Sequence, residues 1–188
     1  SNLIPISVLG DRMFSSKFIK VMNTRHPLQR LVSAYRDKFR DGRKGWEERE
    51  FTELIDKYLP ERRGSTDITF PEFLRIIVGE QKMGVDANGH WRSYYKNCSP
   101  CTLPYDYIMQ LETHDEDLEY IFNMTGINDR NVELRRHATS REDSESNYWL
   151  YYDVVDDDLL RETYHIYKED FQMFGYEIPK FLQRVIQN

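Results

Sequence analysis

The residues best suited to chemistry lie where a short apolar run meets a helical pattern. Residues 18–23 are typical of a buried strand, Arg25 follows closely, and Pro27 occupies a favoured first position of a helix. Ligands of open α/β sheets bind beyond the carboxyl ends of strands, and a helix start attracts anions through its N–H groups. Arg25 can bind a phosphate, and Ser33, about two turns into the helix, can donate its hydroxyl. This junction predicts an anion site, with a surface arginine and an ordinary helical serine as the alternative.

The elements that would position these residues alternate between strands and helices, which predicts an α/β layered domain. Two runs, residues 18–23 and 105–111, have the apolar character of strands, which is few for such a sheet. Apolar residues at helical spacing, capping boxes and glycines predict the helices. These begin at Pro27, near Trp46, at Thr69 (closed by Gly79), at Thr113 (ending near Gly126) and at Asp157, the last running to Phe174. The chain has 188 residues, and we expect a single domain over residues 1–188.

The composition excludes several classes of protein. Hydrophobic residues make up 39% and charged residues 31%, which argues against both a disordered tail and a membrane bundle. The longest apolar run, residues 148–152, is far shorter than the roughly 20 residues of a membrane-spanning helix. A net charge of −6 argues against nonspecific binding to nucleic acid. A local basic segment could still contact an anionic glycan, or be an ordinary solvated surface. Its members are Lys38, Arg40, Arg43, Lys44 and Arg49, with Arg62 and Arg63.

The two cysteines, Cys98 and Cys101, form one C-x-x-C motif with three interpretations. In a protein of the secretory lumen, a local disulfide or pairing with cysteines elsewhere is expected. A thioredoxin-like redox pair needs the first cysteine at the start of a helix, and Pro100 argues against a helix there. A zinc site needs four ligands, and only two cysteines are present. The sequons at Asn97 and Asn123 favour the secretory lumen.

Residues 25–39 resemble the 3′-phosphate-binding segment of the Golgi carbohydrate sulfotransferases. The segment is Arg-His-Pro-Leu-Gln-Arg-Leu-Val-Ser-Ala-Tyr-Arg-Asp-Lys-Phe, and the nearest branch contains the HNK-1, chondroitin, dermatan and N-acetylgalactosamine 4-O-sulfotransferases. Further stretches resemble the same branch in the same order, namely residues 70–74, 90–106, 111–113 and 164–176. The chain is therefore identified as a member of this family, and the resemblance covers it from about residue 18 onward.

The resemblance implies a fold and a donor. The fold would be the P-loop-like sulfotransferase fold, α/β in three layers, with a partial parallel sheet and many helices. The sulfate donor would be 3′-phosphoadenosine 5′-phosphosulfate (PAPS), and no metal is expected. Arg25 and Ser33 would hold the 3′-phosphate, while a later loop would bring Ser140 and Arg141 near the nucleotide. For that loop, a polar connector is the alternative.

His90 is the expected catalytic base. A histidine pKa of about 6.5 suits removal of a proton from a sugar hydroxyl, and His90-Trp91 matches a segment of the family. Trp91 could stack on a sugar face. The alternative is that His90 only supports its loop. Glu112, after the second strand, and His26, beside the phosphate motif, are expected to serve structural roles.

The resemblance also implies partners and a location. Sulfate would move from PAPS to a hydroxyl of a glycan or glycosaminoglycan, with no nucleic acid involved. The location would be the Golgi lumen, in a single-pass type II membrane protein whose membrane segment lies outside this chain. The alternative is a non-catalytic protein of the secretory pathway that binds a glycan or 3′,5′-ADP (PAP). A redox protein built on Cys98 and Cys101 is a more distant alternative.

One element of the family is not matched. Its members carry a Pro-Lys-x-Gly loop, between a strand and a helix, that binds the 5′-phosphosulfate, and no such segment precedes Arg25 in this sequence. Residues 62–66, Arg-Arg-Gly-Ser-Thr, resemble a phosphate loop only superficially, because they follow the 3′ motif and no strand-like run precedes them. We therefore expect this chain to be the C-terminal portion of a sulfotransferase, with little or no transfer activity in isolation.

Overall fold

The structure, a computed structural model, describes residues 14–40, 48–126 and 148–187 of the chain. Its main elements, in chain order, are β1 (Val21–Thr24), α1 (Pro27–Tyr35), α2 (Glu48–Tyr58), α3 (Phe70–Lys82), α4 (Tyr94–Cys98), β2 (Tyr107–Gln110), α5 (His114–Thr125), α6 (Asp157–Phe174) and α7 (Lys180–Gln187). A π-helical turn occupies Arg36–Arg40, and 3₁₀ turns occupy Pro60–Arg62 and Leu111–Thr113. The chain divides into two compact units. The first is Ser1–Arg25 with Tyr94–His137, and the second is His26–Ser93 with Ala138–Asn188.

The first unit is built on a two-stranded parallel sheet, in which Thr24 of β1 pairs with Gln110 of β2. A helix-rich α/β chain with a small parallel sheet was predicted, and this is confirmed. Both strands are shorter than the predicted runs, and β1 is not buried on both faces as expected. Because successive side chains of a strand point to opposite faces, Met22 is 4% exposed while its neighbour Val21 is 38% exposed.

The start of α5, in the first unit, differs from the capping box predicted at Thr113. The Thr113 side chain caps no backbone N–H, and its hydroxyl donates to the carboxylate of Asp117 at 2.8 Å. The same carboxylate accepts the backbone N–H of Gln110 at 2.9 Å, so it connects the end of β2 to α5. The predicted box was wrong because Asp117, rather than the glutamate before it, bonds the threonine hydroxyl. α5 ends as predicted at Gly126, whose φ is 70°.

The capping box predicted for α3, in the second unit, is confirmed. Thr69 Oγ1 accepts the N–H of Glu72, and the Glu72 carboxylate accepts the N–H of Thr69 at 2.7 Å. The predicted helix end at Gly79 is wrong, because α3 continues to Lys82. A Cβ added at Gly79 would lie only 2.6 Å from Cδ1 of Tyr58, so the glycine lets α3 pass close to the end of α2.

The second unit has a core of aromatic and aliphatic side chains from α1, α2, α3 and α6. The apolar face predicted for α6 lies in this core, and the helix has the predicted bounds, Asp157–Phe174. Trp46, the predicted start of α2, lies outside the described residues. The expectation of a single domain stays a prediction. Across the described ranges, no helix combines the length and the apolar character needed to span a membrane.

Candidate functional site

The anion site was predicted where α1 follows β1 along the chain; β1 belongs to the first unit and α1 to the second. β1 ends at Thr24, whose buried hydroxyl donates to the backbone carbonyl of Met109 at 3.0 Å. α1 begins at Pro27, as predicted, and its first turn, Leu-Gln-Arg after the proline, contains no acidic residue. The side chain of His26, the residue before the helix, makes no capping hydrogen bond. The positive end of the helix dipole is therefore not neutralised by α1 itself, which suits an anion.

His26 is a buried packing residue, as predicted. It is 8% exposed, and its Nε2 lies 3.1 Å from the carbonyl oxygen of Glu177. Its ring makes edge contacts, at centroid distances of 5.3, 5.3 and 5.5 Å, with Trp149, Phe171 and Tyr176. These contacts fix the imidazole within the second unit.

The residues predicted to bind the donor fall in three places. Arg25 follows β1 in the first unit, and Ser33 belongs to α1 in the second; both are half-buried. Ser140 and Arg141 lie outside the described residues. The roles of all four toward PAPS stay predictions. Glu112, the carboxylate predicted to follow the second strand, is exposed in the 3₁₀ turn after β2.

The candidate base His90 lies on the loop that follows α3, and Arg30 of α1 holds this loop on both sides of it. The guanidinium of Arg30 donates to the backbone carbonyl of Gly89 at 2.9 Å and to that of Arg92 at 2.6 Å. Hydrogen bonds from a charged donor are the stronger kind. Since Ser33 is also on α1, one helix carries a predicted phosphate ligand and fixes the backbone around the predicted base.

Trp91, next to His90, is fully buried, so the predicted stacking on a sugar face is wrong. Its indole is 0% exposed and meets the ring of Phe73 edge-on, with centroids 5.4 Å apart. The indole N–H donates to the carboxylate of Glu80 at 2.8 Å, and the Trp91 carbonyl accepts the hydroxyl of Tyr167 at 2.5 Å. Burial in the core is favoured over exposure to a ligand because the indole is large and apolar and its one N–H has a buried acceptor.

The electrostatics of this loop favour uncharged groups. Burial lowers the pKa of His90, and the nearby cation of Lys38 lowers it further, against the opposing carboxylate of Asp37. At neutral pH the imidazole is therefore unprotonated, which is the form that can accept a proton. Burial also raises the pKa of Glu80, although the hydrogen bond from Trp91 opposes this shift.

A cavity of about 380 Å³ opens beside His90, in the second unit. One face of α2, from Glu50 to Tyr58, forms a wall of this cavity. Glu80 and Asn88 line it together with His90, and the Asn88 side chain accepts the backbone N–H of His90 at 2.9 Å. The predicted base thus faces a space large enough for a small ligand.

The loop that was rejected as a phosphate site has its arginines paired with carboxylates. Nε of Arg62 lies 2.9 Å from a carboxylate oxygen of Glu72, and Nε of Arg63 lies 3.1 Å from one of Asp56. These pairs agree with the rejection, and they count equally against a glycan surface that includes the two arginines. Two other members of the predicted basic surface lie outside the described residues, Arg43 and Lys44.

Cys98 and Cys101 are not joined by a disulfide in the structure, so the expected local disulfide is not present. Cys98 is the last residue of α4, and Ser99 after it has φ 47°, so the chain turns away from the helix between the two thiols. Because a redox C-x-x-C needs its first cysteine at a helix start, this placement argues against the redox alternative. Pairing with a cysteine elsewhere stays a prediction. In the part of the chain that the structure describes, no group of His, Cys, Asp and Glu is arranged for a metal ion.

Sequence reasoning missed three residues that hold the His90 loop, namely Arg30, Glu80 and Tyr167. Glu80 had a signal in the sequence, because it follows the buried Ile76 and Ile77 at helical spacing and so falls on the apolar face of α3. Tyr167 had one as well, since a hydroxyl on the apolar face of α6 needs a partner. The partners of Arg30 lie 59 and 62 residues further along the chain, a separation about which spacing predicts nothing.

The chain belongs to the sulfotransferase family. The family model described as "Sulfotransferase family" matches residues 7–177. This range includes the junction of β1 with α1, the His90 loop and nearly the whole of the second unit's helical core. The family membership expected from the motifs is thereby confirmed.

Several curated proteins similar to this chain are carbohydrate sulfotransferases. Carbohydrate sulfotransferase 11 of Rattus norvegicus is 27% identical over 192 residues, which cover 97% of this chain and 53% of the relative. Carbohydrate sulfotransferase 14 of Homo sapiens is 30% identical over 174 residues, which cover 90% and 45%. Carbohydrate sulfotransferase 10 of Gallus gallus is 28% identical over 174 residues, which cover 88% and 48%. The chain thus spans about half the length of these relatives. No solved structure matches it significantly.

Proposed function

We propose that the chain is part of a carbohydrate sulfotransferase that moves sulfate from PAPS to a hydroxyl of a glycan or glycosaminoglycan. The observation that carries this proposal is the start of α1, which begins at Pro27 and has no acidic residue in its first turn, within the range that matches the family. The curated relatives support it by their names and by their coverage of nearly the whole chain.

For the donor, the proposal assigns the 3′-phosphate of PAPS to Arg25 and Ser33. A guanidinium can bind a phosphate through two parallel hydrogen bonds, and the uncapped start of α1 adds its positive dipole. Ser140 and Arg141 would approach the nucleotide, as in the family. PAPS supplies the sulfuryl group when bound. The loop that binds its 5′-phosphosulfate would lie outside the stretches of this sequence that resemble the family.

For the acceptor, the proposal assigns the proton of the sugar hydroxyl to His90. As that oxygen forms its bond to sulfur, the imidazole accepts the proton, and the electrons of the broken S–O bond leave with PAP. The lowered pKa of His90 keeps the imidazole in the accepting form at neutral pH. Arg30, by fixing the carbonyls of Gly89 and Arg92, would keep the imidazole in place.

The proposed fold and location follow the family. The small parallel sheet would be part of a three-layer, P-loop-like arrangement, and the whole protein would be a single-pass type II membrane protein of the Golgi lumen. The side chains of Asn97 and Asn123, the two sequon asparagines, are exposed, which is what glycosylation in that compartment requires.

A calorimetric titration of this chain with PAP tests the donor site. We expect binding by the wild type and a loss of at least about tenfold in affinity with Arg25→Ala, because a charged, two-bond contact is removed. Arg63→Ala is the matched control, since its guanidinium pairs with Asp56 and should leave the affinity unchanged. Absence of PAP binding by the wild type would contradict the proposal.

A transfer assay with radiolabelled PAPS tests the activity of the isolated chain. We expect little or no sulfate on chondroitin or on a neutral glycan, because the group that would stabilise the departing phosphate is not matched in this sequence. Efficient turnover would show that this chain alone contains a complete active site.

A further inference from the structure

The cavity beside His90 combines polar groups with apolar surface. Four of its lining residues lie on one face of α2, at positions separated by three or four residues: Glu50, Glu53, Leu54 and Lys57. The charged side chains of this face are exposed, and they also line a cavity of about 380 Å³. That volume lies at the lower end of the range for small-ligand sites, about 300 to 1,000 Å³, and suits one sugar ring.

The charges of the lining do not favour an anion. Two lysines, Lys38 and Lys57, face three glutamates, and His90 is neutral because its pKa is lowered. Lys38 already lies 2.9 Å from the carboxylate of Asp37, and Lys57 lies over the ring of Tyr58 at 5.0 Å. With Glu80 ionised the lining is net negative, and with it protonated the lining is neutral. In neither state does the cavity attract a carboxylate or a sulfate ester.

The same lining suits an uncharged sugar. Carboxylates and the Asn88 amide accept hydrogen bonds from hydroxyl groups, while lysines donate to their oxygens. Leu54, Tyr58 and Val85 offer apolar surface to the C–H face of a sugar ring. Phosphates would meet like charge from the glutamates.

We propose that this cavity binds one uncharged sugar residue of the acceptor, with a hydroxyl at His90, and that it rejects residues carrying a carboxylate or a sulfate. The inference rests on the proposed function and adds the charge class of the sugar that is sulfated. Glu50 and Glu53, on the exposed face of α2, are the specificity-determining residues.

Amide NMR titrations of the full chain with two matched glycosides test this inference. Methyl β-glucoside and methyl β-glucuronide differ only in whether C6 is an alcohol or a carboxylate. We expect the glucoside to shift signals of the α2 face and of the loop at residues 85–90, and the glucuronide to bind at least about tenfold more weakly. Equal binding of the two, or no shift with the glucoside, would overturn the proposal.

Charge variants sharpen the same titration. In Glu50→Gln/Glu53→Gln two of the three carboxylates are gone and the two lysines outnumber Glu80, so the preference for the glucoside should fall to about threefold or less. Both positions are exposed on α2, so the change should not disturb folding. Glu169→Gln removes an exposed carboxylate of α6 outside the cavity and should keep the wild-type preference. An unchanged preference in the double variant would contradict the role of the two glutamates.

A parallel titration with PAP separates this inference from the proposed function. PAP binding without glucoside binding would overturn the sugar cavity and leave the donor site standing. Glucoside binding without PAP binding would leave the cavity as a sugar site and overturn the assignment of Arg25.

Discussion

Two polar loops of the second unit are stabilised in opposite ways. The loop with His90 is held by buried or half-buried groups: Arg30 donates to its carbonyls, and Glu80 accepts from the neighbouring indole. The loop with Arg62 and Arg63 is held by ion pairs, of which Arg63–Asp56 is exposed and Arg62–Glu72 is half-buried. Both loops are rich in charged and polar residues, so their sequences look equally suited to a ligand.

This difference shows which of the two loops is held in a fixed position. Breaking a buried hydrogen bond leaves a polar group unsatisfied and lowers the free energy of unfolding by about 1 to 3 kcal/mol. An exposed ion pair contributes only about 0 to 1 kcal/mol to it. The contacts of the His90 loop with the core therefore fix its geometry more strongly than the exposed Arg63–Asp56 pair fixes that of the other loop. A catalytic base needs the first kind of support, because its position must persist when the substrate leaves.

The largest effect is expected from Trp91→Ala. Removal of a fully buried indole should destabilise the chain by about 3 to 5 kcal/mol, because a cavity forms and Glu80 loses its donor. Chemical denaturation measures this, with Tyr95→Ala as the control, since Tyr95 is 42% exposed. A loss below about 1 kcal/mol would mean that the core does not hold the loop.

Glu80→Ala should cost about 2 kcal/mol, because the buried indole N–H of Trp91 loses its acceptor. Glu80→Gln keeps an acceptor oxygen and should cost less. The two variants are compared by urea denaturation at neutral pH. Equal losses would show that the hydrogen bond does not matter.

The pH dependence of Glu80 gives a separate prediction. Its pKa is raised in the folded chain, so its contribution to stability is complete below the unfolded pKa of about 4.3 and is lost as pH rises through the folded pKa. Glu80→Gln should therefore gain stability relative to the wild type as pH rises across that window. If the free energies of unfolding of Glu80→Gln and the wild type differed by the same amount at every pH, the raised pKa of Glu80 would be contradicted.

Arg30→Ala should lower the free energy of unfolding by about 1 kcal/mol. The loss is moderate because the guanidinium is half-buried, so water can replace part of its hydrogen bonding to the two carbonyls. The sharper readout is amide hydrogen exchange, which should become faster in residues 89–92 while α6 keeps its protection. Arg30→Lys is the matched variant, because an ammonium cannot span two carbonyls in the same fixed geometry. Unchanged exchange in Arg30→Ala would show that the loop is held by Trp91 alone.

Lys38→Met should raise the pKa of His90, because the lysine cation is one of the causes that lower it. An NMR titration of the imidazole measures the shift, and Lys168→Met, on the exposed face of α6, is the control. A lower or unchanged pKa of His90 in Lys38→Met would show that the Lys38 cation does not lower the pKa of His90.

The smallest effect is expected from Arg63→Ala. Its pair with Asp56 is exposed, so the free energy of unfolding should change by less than about 0.5 kcal/mol. Thermal unfolding, compared with Arg30→Ala, checks this. A loss in Arg63→Ala that matches the loss in Arg30→Ala would remove the contrast between the two loops.

Local sequence signals predicted much of the fold. Pro27 at the start of α1, the Thr69–Glu72 capping box and the extent of α6 were all recovered, because each depends on residues within a few positions of one another. The end of α3 at Gly79 was mispredicted for the converse reason. That glycine serves a contact with α2, which local patterns do not contain.

The candidate site was predicted less completely. His90 was chosen by its residue type and by the family resemblance; the structure places it beside a cavity, and its role as a base stays a prediction. Trp91 was predicted to be able to stack on a sugar face, and the structure shows it buried instead. Its buried acceptor, Glu80, lies 11 residues earlier on another element, and only the tertiary structure brings the two together.

Gly79 does not line the cavity beside His90, but it affects the shape of that cavity through Tyr58. Tyr58 lines the cavity, and its ring lies where a methyl group on residue 79 would have to go. Any larger side chain at this position would displace the ring or separate the two helices, and so would change the shape of the cavity. Selection for a smaller or larger acceptor could therefore act on a residue that the acceptor never touches.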